Sequence, residues 1–405
     1  MQQPPKTTAT RQVRRVALFT GAYNHVADGV AFTLNRLVAY LLRSGVDVRI
    51  IAPTVARPAL KHHGVLLPAP SIALPGRQEY RFSYLLSRRV RSELDRFAPD
   101  LVHIATPDLI GYSALRWARA RGLPVVSTYH THFGSYLKYY RLGFAEELAW
   151  RYLRHFYRLC DELYVPSAAM LEELKGRGVE CDLRIWPRGV DTTLFNPARR
   201  SAQWRRSQGL SPDLPTICFV SRLVWEKGLA VFASVVEKLR DRGPQFQTLI
   251  VGDGPARATL EARLTDAHFT GHLSGRSLAQ AYASTDIFLF PSDTETFGNV
   301  VLEAMASGVA VVGADYAGIA ELVEHRISGL LAPAGEVDAF THCTETLLNH
   351  SDLRQACAAA ALERAQRYRW DAVLKRMLSY YEDVLVARPT TKPEAPPPRA
   401  VPLDG

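Results

Sequence analysis

The stretch from Asp286 to Gly329, DIFLFPSDTETFGNVVLEAMASGVAVVGADYAGIAELVEHRISG, constrains this chain more than any other. Ile287 to Phe290 is a short apolar run with the length of a buried strand. Pro291 to Phe297 is polar and turn-rich. Gly298 opens a helix through Ser307, and Gly308 stops it. Val309 to Gly313 is the next apolar run. Strand, loop, helix, strand is one unit of a parallel α/β sheet.

The chemistry sits where that loop enters the helix. Asn299 and Glu303 are four apart and share one helix face, and Glu295 lies on the loop eight residues before Glu303. In an open α/β sheet, ligands bind beyond the carboxyl ends of the strands, and this loop lies at one. The N–H groups near Gly298, Asn299 and Val300 precede the helical ladder and can hold an anion. A glycine there lets a phosphate approach the backbone closely. Either glutamate alone reads as a solvated surface residue. Together, two carboxylates flanking an anion-binding helix start suit a sugar joined to a diphosphate, one for sugar hydroxyls and the other for a ribose.

The run E-T-F-G-N-V-V-L-E-A-M-A-S-G resembles the E-x7-E signature of the retaining GT-B glycosyltransferases of family 4. That resemblance implies an α/β chain of two Rossmann-like domains facing across a cleft, with acceptor on the first and nucleotide sugar mainly on the second. It makes Glu295 an expected catalytic residue, and Phe297, Gly298, Asn299, Val300 and Glu303 expected donor-binding residues.

The totals agree with that reading. A chain of 405 residues, 47% of them hydrophobic, is long enough for two domains with separate cores. No apolar run reaches transmembrane length, and the polar start MQQPPKTTATRQVRR lacks the apolar stretch of a signal peptide. The expected setting is therefore cytoplasmic, with the inner face of the cell membrane in reach. Five scattered cysteines without a C-x-x-C or Cys/His cluster argue against disulfides and structural zinc. A net charge of +9 favours an acidic partner: nucleotide phosphates, anionic lipid or nucleic acid. No zinc-finger, RRM-like or basic-zipper pattern supports nucleic acid, which is not expected as a partner.

Along the chain, residues 1–12 and the proline-rich 388–405 are expected to be disordered. Val16 to Phe19 is a first buried strand, TGAYNHVADGV a loop, LNRLVAYLLRSG an amphipathic helix and VDVRIIAP a second strand. This opening is Rossmann-like, but its loop is not G-x-G-x-x-G, so no dinucleotide is expected. Asp28-Gly29-Val30 resembles the glycine loop at the start of family 4 enzymes, in the form found in the branch with mannosyltransferases and the sulfolipid-forming enzyme. By that resemblance Asp28 and Gly29 bind donor, although D-G alone is only a turn signal.

DLVHIA and Pro124 to Thr128 are further strands, the second ending in STYHTHFGSYLKYY. A lone histidine past a strand end is ordinarily a surface or packing residue. The resemblance places an H-T pair there in the active site, against the donor sugar. His130 carries that role over, with His132 a weaker candidate. In RGVDTTLFNP, the turn reading of Arg188, Gly189 and Asp191 is preferred.

Polar, proline-punctuated residues 196–215 place the domain boundary near 205–214. The expected domains are 13–205 for acceptor and 206–370 for nucleotide sugar, with helix 371–387 crossing back to the first. TICFVSRLV ends in Trp225-Glu226-Lys227-Gly228, where Arg222 and Lys227 are the cations best placed to face a diphosphate. S-R-L-x-x-x-K-G after a strand is again the family pattern and makes both expected catalytic residues. By the same resemblance the G-D-G-P turn, with Gly252 and Gly254, borders the nucleotide pocket, and Gly271, His272 and Leu273 lie against the base.

The reaction so implied transfers a hexose with retention from GDP-mannose or a UDP-hexose to an acceptor hydroxyl. Charge grows on the departing β-phosphate, where Arg222, Lys227 and the amides of 298–300 would stabilise it. No D-x-D triplet occurs in the sequence, so metal-independent departure is expected, with no metal site and no cofactor besides the donor. Two other classes compete: a glycoside hydrolase using Glu295 and Glu303 as an acid/base pair, and a nucleotide-sugar-binding protein without catalysis.

A lipid or lipid-linked glycan is the expected acceptor. Residues 77–97 hold six arginines against three acids, interleaved with Tyr80, Phe82, Tyr84, Leu85 and Leu86. SYLKYYRLGFAEELAWRYLRHFY mixes aromatics with Lys138, Arg141, Arg151 and Arg154. Basic amphipathic helices of this kind can lie on an anionic membrane. The competing reading is two ordinary helices with solvated arginines.

Overall fold

The computed structural model describes residues 12–74, 77–130 and 146–387. His132 and much of the second aromatic stretch fall outside them, as do both terminal tails. The chain divides into two compact units. One holds the chain up to Tyr164, Arg177–Arg184 and the chain from Arg376; the other holds Val165–Gly176 and Ile185–Lys375.

The first unit opens with β1 (Arg15–Phe19), β2 (Asp47–Ala52) and β3 (Val65–Pro68). A separate antiparallel pair, β4 (Ser71–Leu74) and β5 (Arg77–Ser83), follows. Then come β6 (Leu101–Ile104), β7 (Val125–Thr128), β8 (Glu162–Val165) and β9 (Asp182–Ile185). The main sheet runs β3-β2-β1-β6-β7-β8-β9. β1 pairs in parallel with both β2 and β6. Strands β6, β7 and β8 are buried along their whole length, which parallel strands covered on both faces require. The chain therefore changes direction across the sheet between β1 and β6, the point where open α/β sheets form ligand crevices.

The second unit repeats the plan. Its strands are β10 (Thr216–Val220), β11 (Gln247–Val251), β12 (His268–Gly271), β13 (Ile287–Phe290), β14 (Ala310–Ala314) and β15 (Leu330–Ala332). They lie in the order β12-β11-β10-β13-β14-β15, every neighbouring pair parallel. This is the doubly wound Rossmann order, with its reversal between β10 and β13. Helix α1 (Gly29–Arg43) in the first unit, and α2 (Leu229–Arg242) and α3 (Asn299–Ala306) in the second, each follow the strand end they connect.

Three expectations change. Residues 196–215, expected to hold the domain boundary, pack on the second unit. Arg205 is only 2% exposed and bonds Thr216 Oγ1 at 2.8 Å and Asp286 at 3.3 Å. Arg200 reaches the Thr285 carbonyl and Asp286, Phe195 packs edge-on to Tyr282, and Pro197 sits against Gly308. The segment reads as polar and proline-punctuated, yet Arg200 and Arg205 are fastened to the second unit. The units accordingly part at Ile185 and not near 205–214.

The loop TGAYNHVADGV also ends earlier than its turn residues suggest. Asp28 is the N-cap of α1, its carboxylate accepting from Ala31 N at 2.8 Å, so Gly29 and Val30 are already helical. Residues 77–97, finally, are not one amphipathic helix. Arg77–Ser83 is strand β5, and only Arg88–Phe97 is helical, capped by Ser87. Cross-strand pairing with β4 overrides the local helical pattern.

The last helix, Trp370–Ala387, is shared: its start up to Lys375 groups with the second unit and the remainder with the first. In the first unit Tyr381 Oη meets His103 Nδ1 at 2.6 Å, and His103 Nε2 meets Thr128 Oγ1 at 2.5 Å. Burial pushes the His103 pKa down to about 3, so the ring is neutral, one nitrogen donating and the other accepting. That contact fixes the end of β7, two residues before His130.

Candidate active site

In the second unit, the loops following β10 and β13 meet at the reversal point. Lys227 closes a short 3-10 turn after β10, and Gly228 then takes a left-handed φ of 75° to start α2. A Cβ at Gly228 would fall 2.4 Å from the Pro291 carbonyl, so only glycine lets the two loops touch here. The consequence is an ion pair between residues 68 apart: Lys227 Nζ lies 2.6 Å from Glu295 Oε1, both side chains largely shielded. Thr294 Oγ1 donates to the Glu226 carbonyl at 3.2 Å and Ser167 Oγ to the Thr296 carbonyl at 2.9 Å, which steadies the loop further. Arg222 is exposed on the same β10 loop.

Gly298, with φ 96°, caps α3, and no side chain accepts from the first turn. Asn299 is exposed and Val300 half-buried, so backbone donors and a polar side chain stand together at this helix start. One turn on, burial pushes the Glu303 carboxyl up to about 7, with the Tyr282 hydroxyl beside it partly opposing the rise. The Phe297 ring is 5% exposed, sits in the second unit's core and meets Tyr368 edge-on. Its side chain is structural, and only its backbone is available to a ligand.

The G-D-G-P glycines also have a structural duty. A Cβ on Gly252 would fall 1.8 Å from the Ser221 carbonyl, and one on Gly254 2.5 Å from the Leu223 carbonyl. They let the β11 loop press on the loop carrying Arg222. Gly252 N donates to the Gly271 carbonyl at 2.9 Å, which adds the β12 loop with exposed His272 and half-buried Leu273. Arg222, Lys227, Glu295, Gly252, Gly254, Gly271 and the 298–303 turn thus share one set of neighbouring strand ends.

Asp28, Gly29 and His130 belong to the first unit, also past strand ends. Gly29 is exposed, and nothing lies within 4 Å of where its Cβ would be. Arg188, Gly189 and Asp191 form the expected turn: Asp191 Oδ1 accepts from Thr193 N and Leu194 N, and Gly189 packs on Trp370.

Sequence reading missed four residues at the reversal points. Tyr282 is a buried core aromatic that lies against Glu303. Asp108 caps the helix Leu109–Arg119 through Gly111 N at 2.9 Å, accepts from Thr106 Oγ1 at 3.1 Å, and is pushed up to about 6 by burial. Asn24 and His25 sat inside a segment read simply as a loop. The S/T-x-D spacing before an apolar helix could have flagged Asp108; no sequence signal marked the others.

Comparison with known proteins bears on the whole arrangement. The model for Glycosyltransferase Family 4 matches residues 27–194, and that for Glycosyl transferases group 1 matches residues 214–350. The chain is 36% identical over 384 residues to a GDP-mannose-dependent alpha-mannosyltransferase of Mycolicibacterium smegmatis, covering 92% of this chain and 98% of that one. It is 34% identical over 374 residues to the sulfoquinovosyl transferase SQD2 of Arabidopsis thaliana, covering 90% and 72%. Among solved structures, sucrose-phosphate synthase from Thermosynechococcus elongatus superposes with a TM-score of 0.73 at 21% identity, over 93% of this chain and all (100%) of that one. HepE of Anabaena, in complex with UDP, gives 0.72 at 20%, over 91% and 100%. These neighbours share the GT-B fold.

Proposed function

This chain belongs to glycosyltransferase family 4 and is a hexosyltransferase, and from that premise we propose that it moves a hexose with retention from GDP-mannose or a UDP-hexose to a hydroxyl of a membrane lipid or lipid-linked glycan. The observation that carries the reading is the Lys227–Glu295 pair at the β10/β13 reversal, next to the uncapped start of α3. The family assignment removes the hydrolase and non-catalytic alternatives.

The donor diphosphate would lie over the 298–300 amides, between Arg222 and Lys227. Entering phosphate would draw Lys227 off Glu295 and free that carboxylate for sugar hydroxyls. Glu303 would take the ribose hydroxyls, and the loops at 252–254 and 271–273 would border the base. By the family pattern, His130, Asp28 and Gly29 keep their expected roles toward the donor sugar and phosphate. No carboxylate nucleophile is assigned. The departing phosphate takes the acceptor proton on the same face, so the C1–O bond breaks as the new one forms. Once Lys227 has moved onto the bound phosphate, Arg222, Lys227 and the helix start would stabilise charge where it develops.

The lipid acceptor is supported by the relatives: besides SQD2, an alpha-monoglucosyldiacylglycerol synthase and a phosphatidyl-myo-inositol mannosyltransferase match most of the chain. No helix among the described residues is long and apolar enough to cross a membrane. Contact with an anionic surface would come from exposed Ile72, Phe82, Tyr84 and Leu85 beside Arg88, Arg89 and Arg91. The deciding experiment is a nucleotide-sugar panel, read by thermal shift and then by product mass with lipid acceptors. Stabilisation by one nucleotide sugar and a product heavier by one hexose is expected; release of free sugar alone would overturn the reading.

A further inference from the structure

The loop after β1 of the first unit carries polar groups that the donor chemistry does not use. The loop after β1 is pinned across the reversal, Gly21 N donating to Thr106 Oγ1 at 2.9 Å. Along that loop the side chains of Asn24 and His25 are buried, 1% and 7% exposed. His25 Nδ1 lies 3.2 Å from the Pro53 carbonyl. A carbonyl only accepts, so Nδ1 carries the proton and Nε2 of the neutral ring is an acceptor. His25 Nε2 is buried with no hydrogen-bond partner among the described residues, and so is Asn24 Oδ1. The Asn24 amide nitrogen is already engaged with His62 Nδ1 at 3.2 Å. Burial pushes the His25 pKa down, with Arg81 adding to the shift and Asp28 and the Pro53 contact opposing it, so the ring stays neutral.

Two adjacent residues on the loop at the carboxyl end of β1, packed against the segment that follows β2, thus hold buried acceptors that lack a donor. Leaving such atoms unmet is costly, and the loop is otherwise tightly bonded: Tyr23 Oη donates to the His63 carbonyl at 2.7 Å and Asn35 Nδ2 to the Tyr23 carbonyl at 3.0 Å. We propose that Asn24 and His25 form the acceptor subsite, receiving hydroxyl donors from a polyol headgroup. This rests on the transferase reading above and refines it. Acceptor atoms take O–H donors and cannot hold ionised phosphate oxygens. The part of the acceptor held here is therefore neutral and hydroxyl-bearing, as in a glycosyl or glycerol headgroup.

The test uses the full chain with the donor found by the panel, and phosphatidylcholine vesicles carrying diacylglycerol, a monoglycosyl diacylglycerol or phosphatidylinositol. His25→Phe and Asn24→Leu should each raise the apparent KM for vesicle acceptor about tenfold, the worth of one lost hydrogen bond to substrate. Donor KM and the slow acceptor-free hydrolysis of donor should not move. Asn24→Asp, which keeps an oxygen acceptor, should stay close to the parent, and transfer should not need a headgroup phosphate. Should His25→Phe fail to fold, the two Asn24 variants decide. An unchanged acceptor KM in a folded variant, an equal rise in donor KM, or an absolute need for headgroup phosphate would overturn the subsite. A parent chain that binds no nucleotide sugar would instead remove the reading on which it rests.

Discussion

Individual side chains at the β10/β13 reversal have separable duties. Lys227 is held 2.6 Å from Glu295 and is assigned to developing phosphate charge, so Lys227→Ala should lower kcat by two to three orders of magnitude, about 3 kcal/mol. Arg222→Ala should act alike without loss of Tm, since that side chain is exposed. Near-parent turnover in both would refute the phosphate assignment. Glu303 offers a pH test. Its carboxyl is pushed up to about 7 from an ordinary 4.5, so near neutrality it is only partly ionised. Accepting two ribose hydroxyls needs the ionised form, so nucleotide affinity should rise as pH passes upward through about 7. Glu303→Gln should flatten that rise and weaken binding, which calorimetry across pH 6–8 would register. Stability runs the other way. A carboxyl raised above its unfolded value contributes most below about 4.5, and that contribution is lost as pH rises through about 7. The parent's Tm should therefore fall relative to that of Glu303→Gln as pH rises from about 4.5 through about 7.

Loops and helix starts are specified by glycines for two different reasons. Gly252 has φ 137°, and its Cβ would lie 1.8 Å from the Ser221 carbonyl. Gly252→Ala must therefore separate the β11 loop from the Arg222 loop, costing about 2 kcal/mol of stability and donor binding together. Gly29 has open space instead. Gly29→Val should leave Tm within a degree or two but cut transfer, because only an approaching ligand would meet the new side chain. Parent-like transfer by Gly29→Val would take that helix start out of the donor site. The β4–β5 pair is the third such element. Ile72 and Phe82 are cross-strand partners, both exposed. Co-sedimentation with anionic vesicles at low salt should weaken when Arg88, Arg89 and Arg91 become Ser, and should fade as salt rises. Equal binding by parent and variant, or none by either, would count against membrane contact.

At the scale of the whole molecule, the same doubly wound plan occurs twice, each unit with its own reversal point. Transfer is expected to persist in excess EDTA, because the groups assigned to phosphate charge are two cations and a helix start; loss restored only by Mg²⁺ or Mn²⁺ would contradict this. The repeated plan was legible before the structure. The runs read at 16–19, 100–105, 216–224, 287–290 and 309–313 each hold most or all of a strand, since a strand buried on both faces is largely apolar. Glu295, Asn299 and Glu303 were placed by spacing alone, because the strand-loop-helix unit is local.

What the sequence determined by itself was whatever depends on neighbours in the chain: period, caps, strand ends and a dense motif. What only the tertiary structure decided depends on residues far apart. Lys227 meets Glu295 because β10 and β13 are neighbours in the sheet, 68 residues apart in the chain. Arg205 leaves the solvent because Thr216 and Asp286 wait across the fold, and Arg200 pairs with the same Asp286. Phe297 turns into the core, and Glu303 is desolvated, only once helices pack around them. Asn24 and His25 lose their water in the same way, and a composition of ordinary loop residues gave no sign of it. Local pattern fixes backbone geometry, whereas burial and pairing are set by which elements pack together, and that is settled by the sum of contacts over the whole chain.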